Sequence, residues 1–234
     1  MNYLIYDGVD SREYGVFVSF QDIDAIPERD VEEYNISGRN GALTIDKGGY
    51  KILDHVYWII GYGDNYRQFR AYLNEMSRHA GYHRLEDSFE PEEYYSARIN
   101  GKIDVFSWRN RDMARCELRF IRDPRRFLVS GEEAIALDEA GIVLNPTTCA
   151  ANPIIKVTGN GTLTIGDQNV VISDAFAETV IDCERQDCYS GQFNANYAVS
   201  FEDGKFPELY AGENEVSWTG AITAVEITPR WWRL

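Results

Sequence analysis

Short runs of alternating apolar and polar residues, broken by Gly, Asn-Gly and Pro, fill most of this chain and predict strands rather than helices. Val16-Phe17-Val18-Ser19-Phe20 reads as one strand, and Val31 to Ile36 alternates weakly. Ala42 to Ile45 and Tyr50 to Leu53 flank Lys47-Gly48-Gly49, a hairpin signal that defines a turn-bounded arm over residues 39–53. Tyr57-Trp58-Ile59-Ile60 is uniformly apolar and reads as a strand buried on both faces. One segment has a different period. Tyr66, Phe69, Leu73 and Met76 recur at helical spacing between the N-cap candidate Asp64 and Gly81, predicting a helix over 64–80. Strands resume at Tyr94 to Ile99, turn at Asn100-Gly101, return over Lys102 to Trp108, and run again from Cys116 to Arg122 until Asp123-Pro124-Arg125-Arg126 stops them.

Beyond this point the helical period does not return. Residues 131–152 are loose and acidic, a linker or first strand, and a domain boundary is placed near residue 130. Strands follow at Ile154 to Val157, Thr162 to Ile165, Asn169 to Ile172, Thr179 to Cys183, Tyr197 to Phe201, Glu215 to Trp218 and Ala224 to Ile227. The fold class is therefore mainly β with one helix. A β domain over 1–130 carries the helix and the arm, and an antiparallel sandwich occupies 131–234.

Composition sharpens this picture. The chain has 234 residues, 44% of them hydrophobic, enough for two packed cores. Its formal charge of −15 is uneven: residues 1–130 hold 18 basic and 22 acidic groups, whereas 131–234 hold 5 and 16. So acidic a chain is poorly suited to gripping nucleic acid, although it can surround a duplex without sticking to it. The 15 tyrosines suit sheet faces and subunit contacts alike. Residues 1–6 lack the basic flank and apolar core of a secretory leader, and no apolar run has the length of a membrane span. A protein made in a reducing cytoplasm, with Cys116, Cys149, Cys183 and Cys188 as free thiols, is expected.

Candidate chemistry is thin. Asp182 and Glu184 lie two apart in an expected strand and would share one face, as paired catalytic carboxylates do; a surface strand gives the same pattern. Cys183 and Cys188 have neither zinc-site nor redox spacing. His79 and His83 stand four apart, but Gly81 interrupts the helix between them, and capping of the helix C-terminus is the reading for His79. No metal, cofactor or catalytic residue is assigned. Arg109, Arg111, Arg115, Arg119, Arg122, Arg125 and Arg126 make the densest basic run, interleaved with Asp112, Glu117 and Asp123. Ion pairing across a subunit contact and a solvated strand face are equally weighted readings of it.

Several short motifs in order carry a resemblance. They are Asp7-Gly8, Ser11 with Tyr14-Gly15-Val16, Pro27-Glu28-Arg29-Asp30 and Ile36-Ser37-Gly38-Arg39-Asn40-Gly41 in the first half. In the second half stand Asn152-Pro153, the Thr179 to Asp182 strand, Asn194 and Asn196, Phe206-Pro207-Glu208-Leu209, Gly212-Glu213-Asn214 and Pro229-Arg230-Trp231-Trp232-Arg233-Leu234. Together they resemble the distal tail (Dit) proteins of long-tailed phages infecting Gram-positive bacteria. That resemblance implies a split-barrel-like N-terminal domain, a galectin-like C-terminal sandwich and a homo-hexameric ring at the virion tail tip, assembled in the host cytoplasm. The ring would join the major tail tube protein to a tail-associated lysin or baseplate protein, with DNA passing through unheld. Candidate subunit-interface residues are Arg39, Asn40, Lys47, Tyr50, Arg109 and Arg111. The alternative is a carbohydrate-binding or receptor-recognition module whose sandwich stacks sugar on Trp218 and Tyr189; an enzyme using Asp182 is a distant third.

Overall fold

The structure, a computed structural model, describes residues 2–21, 25–62, 66–108, 113–173 and 176–234. It is mainly β with one α-helix and divides into two compact units, residues 1–126 with Leu234, and residues 127–233.

The first unit is built on one sheet, in the order Val9–Asp10, Leu4–Tyr6, His83–Asp87, Glu93–Ile99, Met113–Leu128, Leu53–Tyr62 and Val16–Gln21, with Val105–Trp108 added against Met113–Leu128. Alternation decides which face is buried. Ala114, Cys116, Leu118 and Phe120 form one inward row, and Tyr57 and Ile59 another. Trp58 and Ile60 point the other way and are half-buried, so this strand has one fully buried face rather than two. The helix Tyr66–Met76 closes the core with Phe69, Tyr72, Leu73 and Met76. It ends before Gly81, tightening through Arg78 N–H to Glu75 O (3.1 Å) and His79 N–H to Met76 O (3.3 Å). The N-cap candidate Asp64 lies outside the described residues. Ser11 explains part of its motif: its buried hydroxyl accepts the Leu4 N–H at 3.1 Å, and Gly15 at φ 62 ends the short 3₁₀ turn that follows.

Three turn expectations are corrected. Gly48-Gly49 is not a hairpin turn; Ala42–Tyr50 runs straight through it as one strand paired with Arg29–Asn35, so the arm is 29–50 rather than 39–53. Register explains why: Arg29 faces Tyr50 and Val31 faces Asp46, leaving Lys47-Gly48-Gly49 as a bulge. Gly48 takes the positive φ (82°) that the bulge needs, and its N–H donates to Asp46 Oδ1 at 2.8 Å. Likewise, Val105–Trp108 pairs with Met113–Cys116 and not with the strand before Asn100-Gly101, because the Asn100 N–H is taken by Arg119 O at 2.7 Å. Nor does Pro124 stop its strand. The Asp123 carboxylate accepts the Arg125 N–H (2.9 Å) beside the missing proline donor, and the strand continues to Leu128.

The second unit is a two-sheet sandwich. One sheet runs Ile135–Leu137, Ala224–Thr228, Ile154–Thr158, Glu178–Asp182, Asp187–Ser190, Phe193–Asn194; the other runs Gly141–Asn145, Gly212–Gly220, Gly161–Ile165, Gln168–Ile172, Val199–Phe201. Ile155 lies opposite both Ile181 and Ile227, and Leu163 lies opposite Val170. These inward rows from both sheets meet in one core that also takes Cys183, Cys188 and Trp231. Residues 131–152 hold two strands, Ile135–Leu137 and Gly141–Asn145, rather than a linker. The Asn-rich motifs are turn pins. Asn214 Nδ2 donates to Tyr210 O (2.8 Å) while its Oδ1 accepts Tyr210 N–H (2.8 Å), and Asn196 Oδ1 accepts Cys188 N–H (2.7 Å).

Candidate functional site

The feature of this chain that most resembles a binding surface is the two-stranded arm. Among the described residues it pairs only with itself, as a separate sheet. Its base is tied by Lys51 N–H to Glu28 O (2.8 Å) and by Lys51 Nζ to Glu28 (3.2 Å). Cross-strand pairing puts Tyr34 opposite Leu43 and Glu32 opposite Ile45, so Tyr34, Leu43 and Ile45 share one face. They are 49%, 41% and 47% exposed, and Ile36 beside the tip is 45% exposed. A two-stranded ribbon is marginal in water on its own, and these exposed apolar side chains share their face with Glu32, which accepts from the Tyr34 hydroxyl at 2.6 Å.

Four of the six candidate interface residues lie on the arm. Arg39 and Asn40 sit in its tip turn, closed by Arg39 N–H to Ile36 O at 3.1 Å. Lys47 stands in the bulge, 2.7 Å from Glu32 and 4.0 Å from Asp30. Tyr50, at the base, faces the Arg29 guanidinium at 5.0 Å. Arg109 and Arg111, like Asp112, lie outside the described residues.

The rest of the basic run finds partners within the chain. Arg119 pairs with Glu117, Arg125 with Asp123 (2.9 Å) and Arg126 with Glu93 (3.7 Å). Arg115 lies over Trp58 at 5.7 Å. Arg122 continues the inward row of its strand, is 2% exposed, and stacks on Tyr95 at 4.5 Å. Its charge and burial act on His55, packed between Tyr57 and Tyr95: burial first, then Arg122, lower the imidazole to about 3.

The carboxylate pair does not form. Strand Glu178–Asp182 ends before Glu184, so the two acids share no face. Asp182 is buried and bound by Arg230, whereas Glu184 is exposed and accepts from Asn152 Nδ2 at 3.0 Å. Cys183 and Cys188 lie in the second core; burial raises both thiols, that of Cys188 to about 12. His79 does not cap the helix with its ring, which turns to Asp7. Trp218 and Tyr189 lie on different sheets, and Trp218 packs against the core. Neither lines the polar cleft of about 660 Å³ formed by Asn152, Gln168, Asn169, Lys205 and Tyr210. Among the described residues, no helix is long and apolar enough to cross a membrane.

No family model matches the sequence, and no curated protein matches it. The fold does find counterparts among solved structures. The crystal structure of SPP1 Dit (gp 19.1), described as a paradigm of hub adsorption apparatus in Gram-positive infecting phages, superposes with a TM-score of 0.73 over 100% of both chains, at 14% identity. The chain has the Dit fold. Chains of the phage P2 baseplate in its activated conformation also match it. The Sr form gives a TM-score of 0.53 over 100% of this chain and 98% of that one, and the Ca form 0.50 over 97% and 96%, both at 9% identity.

Proposed function

We propose that this chain is the hub protein of a phage tail tip: a homo-hexameric ring in the virion that joins the major tail tube protein to a tail-associated lysin or baseplate protein. The observation that carries this reading is the full-length correspondence with SPP1 Dit; a match confined to one sandwich would carry much less, since sandwiches host many functions. The arm supplies the means. A ring is a heterologous contact repeated by rotation, and an apolar-faced ribbon tied at its base offers each subunit a projection for its neighbour. The net charge of −15 suits a channel that DNA traverses without adhering.

The protein works, on this reading, by assembly and not by catalysis. Light scattering and negative-stain electron microscopy of the purified chain test it. Hexameric mass with ring-shaped particles is expected, and a monomer persisting at high concentration overturns it. The carbohydrate-binding alternative draws no specific support from the placement of Trp218 and Tyr189.

A further inference from the structure

Asp7, His79 and His83 come from three separate segments of the first unit and converge on one point. Asp7 lies in the turn between Leu4–Tyr6 and Val9–Asp10, held at φ 49 with its N–H donating to Arg84 O at 2.9 Å. His79 follows the helix, and His83 opens strand His83–Asp87. His79 Nδ1 stands 2.5 Å, and His83 Nδ1 3.2 Å, from the same oxygen, Asp7 Oδ2.

The hydrogen bonding of His83 makes this arrangement informative. Its Nε2 is 2.9 Å from the Ala80 carbonyl oxygen, which can only accept, so Nε2 carries the hydrogen. Nδ1 then faces the Asp7 carboxylate oxygen, a contact that is favourable only with a positive charge between the two atoms, which either a proton on Nδ1 or a bound metal ion supplies. A second partner on the far nitrogen is also how metal-ligating histidines are oriented. Both imidazole planes are fixed further by the buried Tyr6 ring, which meets them edge-on at centroid distances of 6.3 and 5.7 Å.

We propose that Asp7, His79 and His83 form a binding site for a divalent transition-metal ion, with Zn²⁺ the best fit. Two imidazole nitrogens and one carboxylate oxygen suit zinc and its neighbours rather than Ca²⁺ or Mg²⁺, which prefer all-oxygen shells. Ligand atoms about 2.0–2.1 Å from a tetrahedral Zn²⁺ stand about 3.3 Å apart. The His83–Asp7 separation already matches this, His79 has to withdraw from Asp7 by about 0.8 Å, and all three ligand atoms lie within 4.8 Å of one another. All three side chains are partly exposed, so the ion enters from solvent and water completes the fourth position. Bound there, it would staple the Asp7-Gly8 turn, the connection after the helix and the adjoining strand, stabilising the folded unit by mass action.

The test uses the full-length, tag-free protein after EDTA treatment. Calorimetric titration with Zn²⁺ is expected to show one site per chain, with a rise in Tm of several degrees at about 100 µM metal. Co²⁺ in place of Zn²⁺ should give the intense visible bands of a low-coordinate ion. Asp7→Asn and His83→Ala should each weaken binding by at least about tenfold. Absence of heat and of any Tm change, or a Co²⁺ spectrum of the six-coordinate aquo ion only, overturns the proposal. So does binding that survives both substitutions, since other groups would then be the ligands. Should the two variants fail to fold, as judged by circular dichroism, the Co²⁺ spectrum of the unsubstituted chain decides alone.

Discussion

Arg230 and Asp182 form a two-pronged ion pair that fastens the segment around Arg230 to the strand Glu178–Asp182 of the sandwich. Arg230 Nη1 and Nη2 donate to the two carboxylate oxygens at 2.7 and 3.2 Å, and the Asp182 side chain is 2% exposed. Arg230 reaches it from a left-handed backbone, φ 58, that a non-glycine residue enters at a cost. Loss of Arg230, as in Arg230→Ala, leaves the buried Asp182 carboxylate with only the Arg185 N–H (3.2 Å) and the more distant Arg185 guanidinium (3.8 Å), and Asp182→Asn removes the charge that Arg230 faces, so each change should lower stability by about 2 kcal/mol. Arg230→Gly loses the same pair but relieves the backbone and should fall short of Arg230→Ala by about 1 kcal/mol. Urea unfolding of the three variants checks the order. For Asp182, burial raises the carboxyl pKa, but the Arg230 hydrogen bonds, the Arg185 N–H and the charges of both arginines outweigh it and the net shift is downward. The pair's contribution is therefore complete above the unfolded carboxylate pKa of about 3.9 and fades as pH falls below it.

Gly131 is where this terminal segment approaches the backbone. A Cβ added there would lie 2.3 Å from Trp231 N. That nitrogen has little room to retreat, because Arg230 N–H donates to Gly131 O at 2.7 Å and Trp231 O accepts the Leu128 N–H at 2.9 Å. Gly131→Ala should cost about 3 kcal/mol, as an overpacked core site does, and lower Tm accordingly. An unchanged Tm would mean that the Trp231 segment is not seated as described.

These two contacts show what the sequence could and could not reveal. Strand content and the single helix follow from periodicity, because each segment's burial repeats every two or every 3.6 residues, whereas the arm expected over 39–53 lies over 29–50. Gly48-Gly49 was misread because glycine advertises a positive φ without saying whether a turn or a bulge uses it. Pro124 was misread because the missing donor is compensated by Asp123, a side-chain bond that no pattern of polarity announces. Gly141–Asn145 was left between linker and strand, and Asp187–Ser190 was missed because its four residues alternate too briefly to show a period. Asp7 was not linked to His79 and His83 because only the fold brings the turn to them. The same holds for Arg122, whose inward place on an alternating strand is visible only once Ala114 to Phe120 fix which face is buried.

His55 gives the first unit a pH dependence of the opposite origin. Burial and the Arg122 charge hold it neutral in the fold, with its pKa lowered to about 3, whereas in the unfolded chain it titrates near about 6.5. Between those values the unfolded state binds the extra proton, so stability falls as pH drops below about 6.5. At pH 5 the loss is about 2 kcal/mol, from about 1.5 pH units at about 1.36 kcal/mol each. Replacing His55 with Gln should flatten the stability profile between pH 5 and pH 7 by about that amount. Parallel profiles for the two proteins would show that His55 is not the titrating group.

The arm bears the strongest functional prediction, and its geometry allows a clean test. Because Lys51 N–H already meets Glu28 O at 2.8 Å, a short Gly linker can replace residues 29–50 without straining the strands outside them. The two units keep their cores, since Tyr34, Leu43 and Ile45 belong to neither buried cluster. Thermal unfolding of this variant should stay within a few degrees of the parent, while, if the proposed ring is built through the arm, its mass by light scattering falls below that of the parent to the monomer. A gentler change separates the apolar face from mere length: Leu43→Ser with Ile45→Ser removes the stripe and leaves the ribbon's backbone pairing intact. If burial of that stripe against a neighbour holds the ring, the double variant should weaken assembly by at least about 2 kcal/mol per contact, visible as dissociation on dilution at concentrations where the parent stays assembled. An oligomer as large as the parent's in both variants would overturn the arm as the subunit contact of the proposed ring.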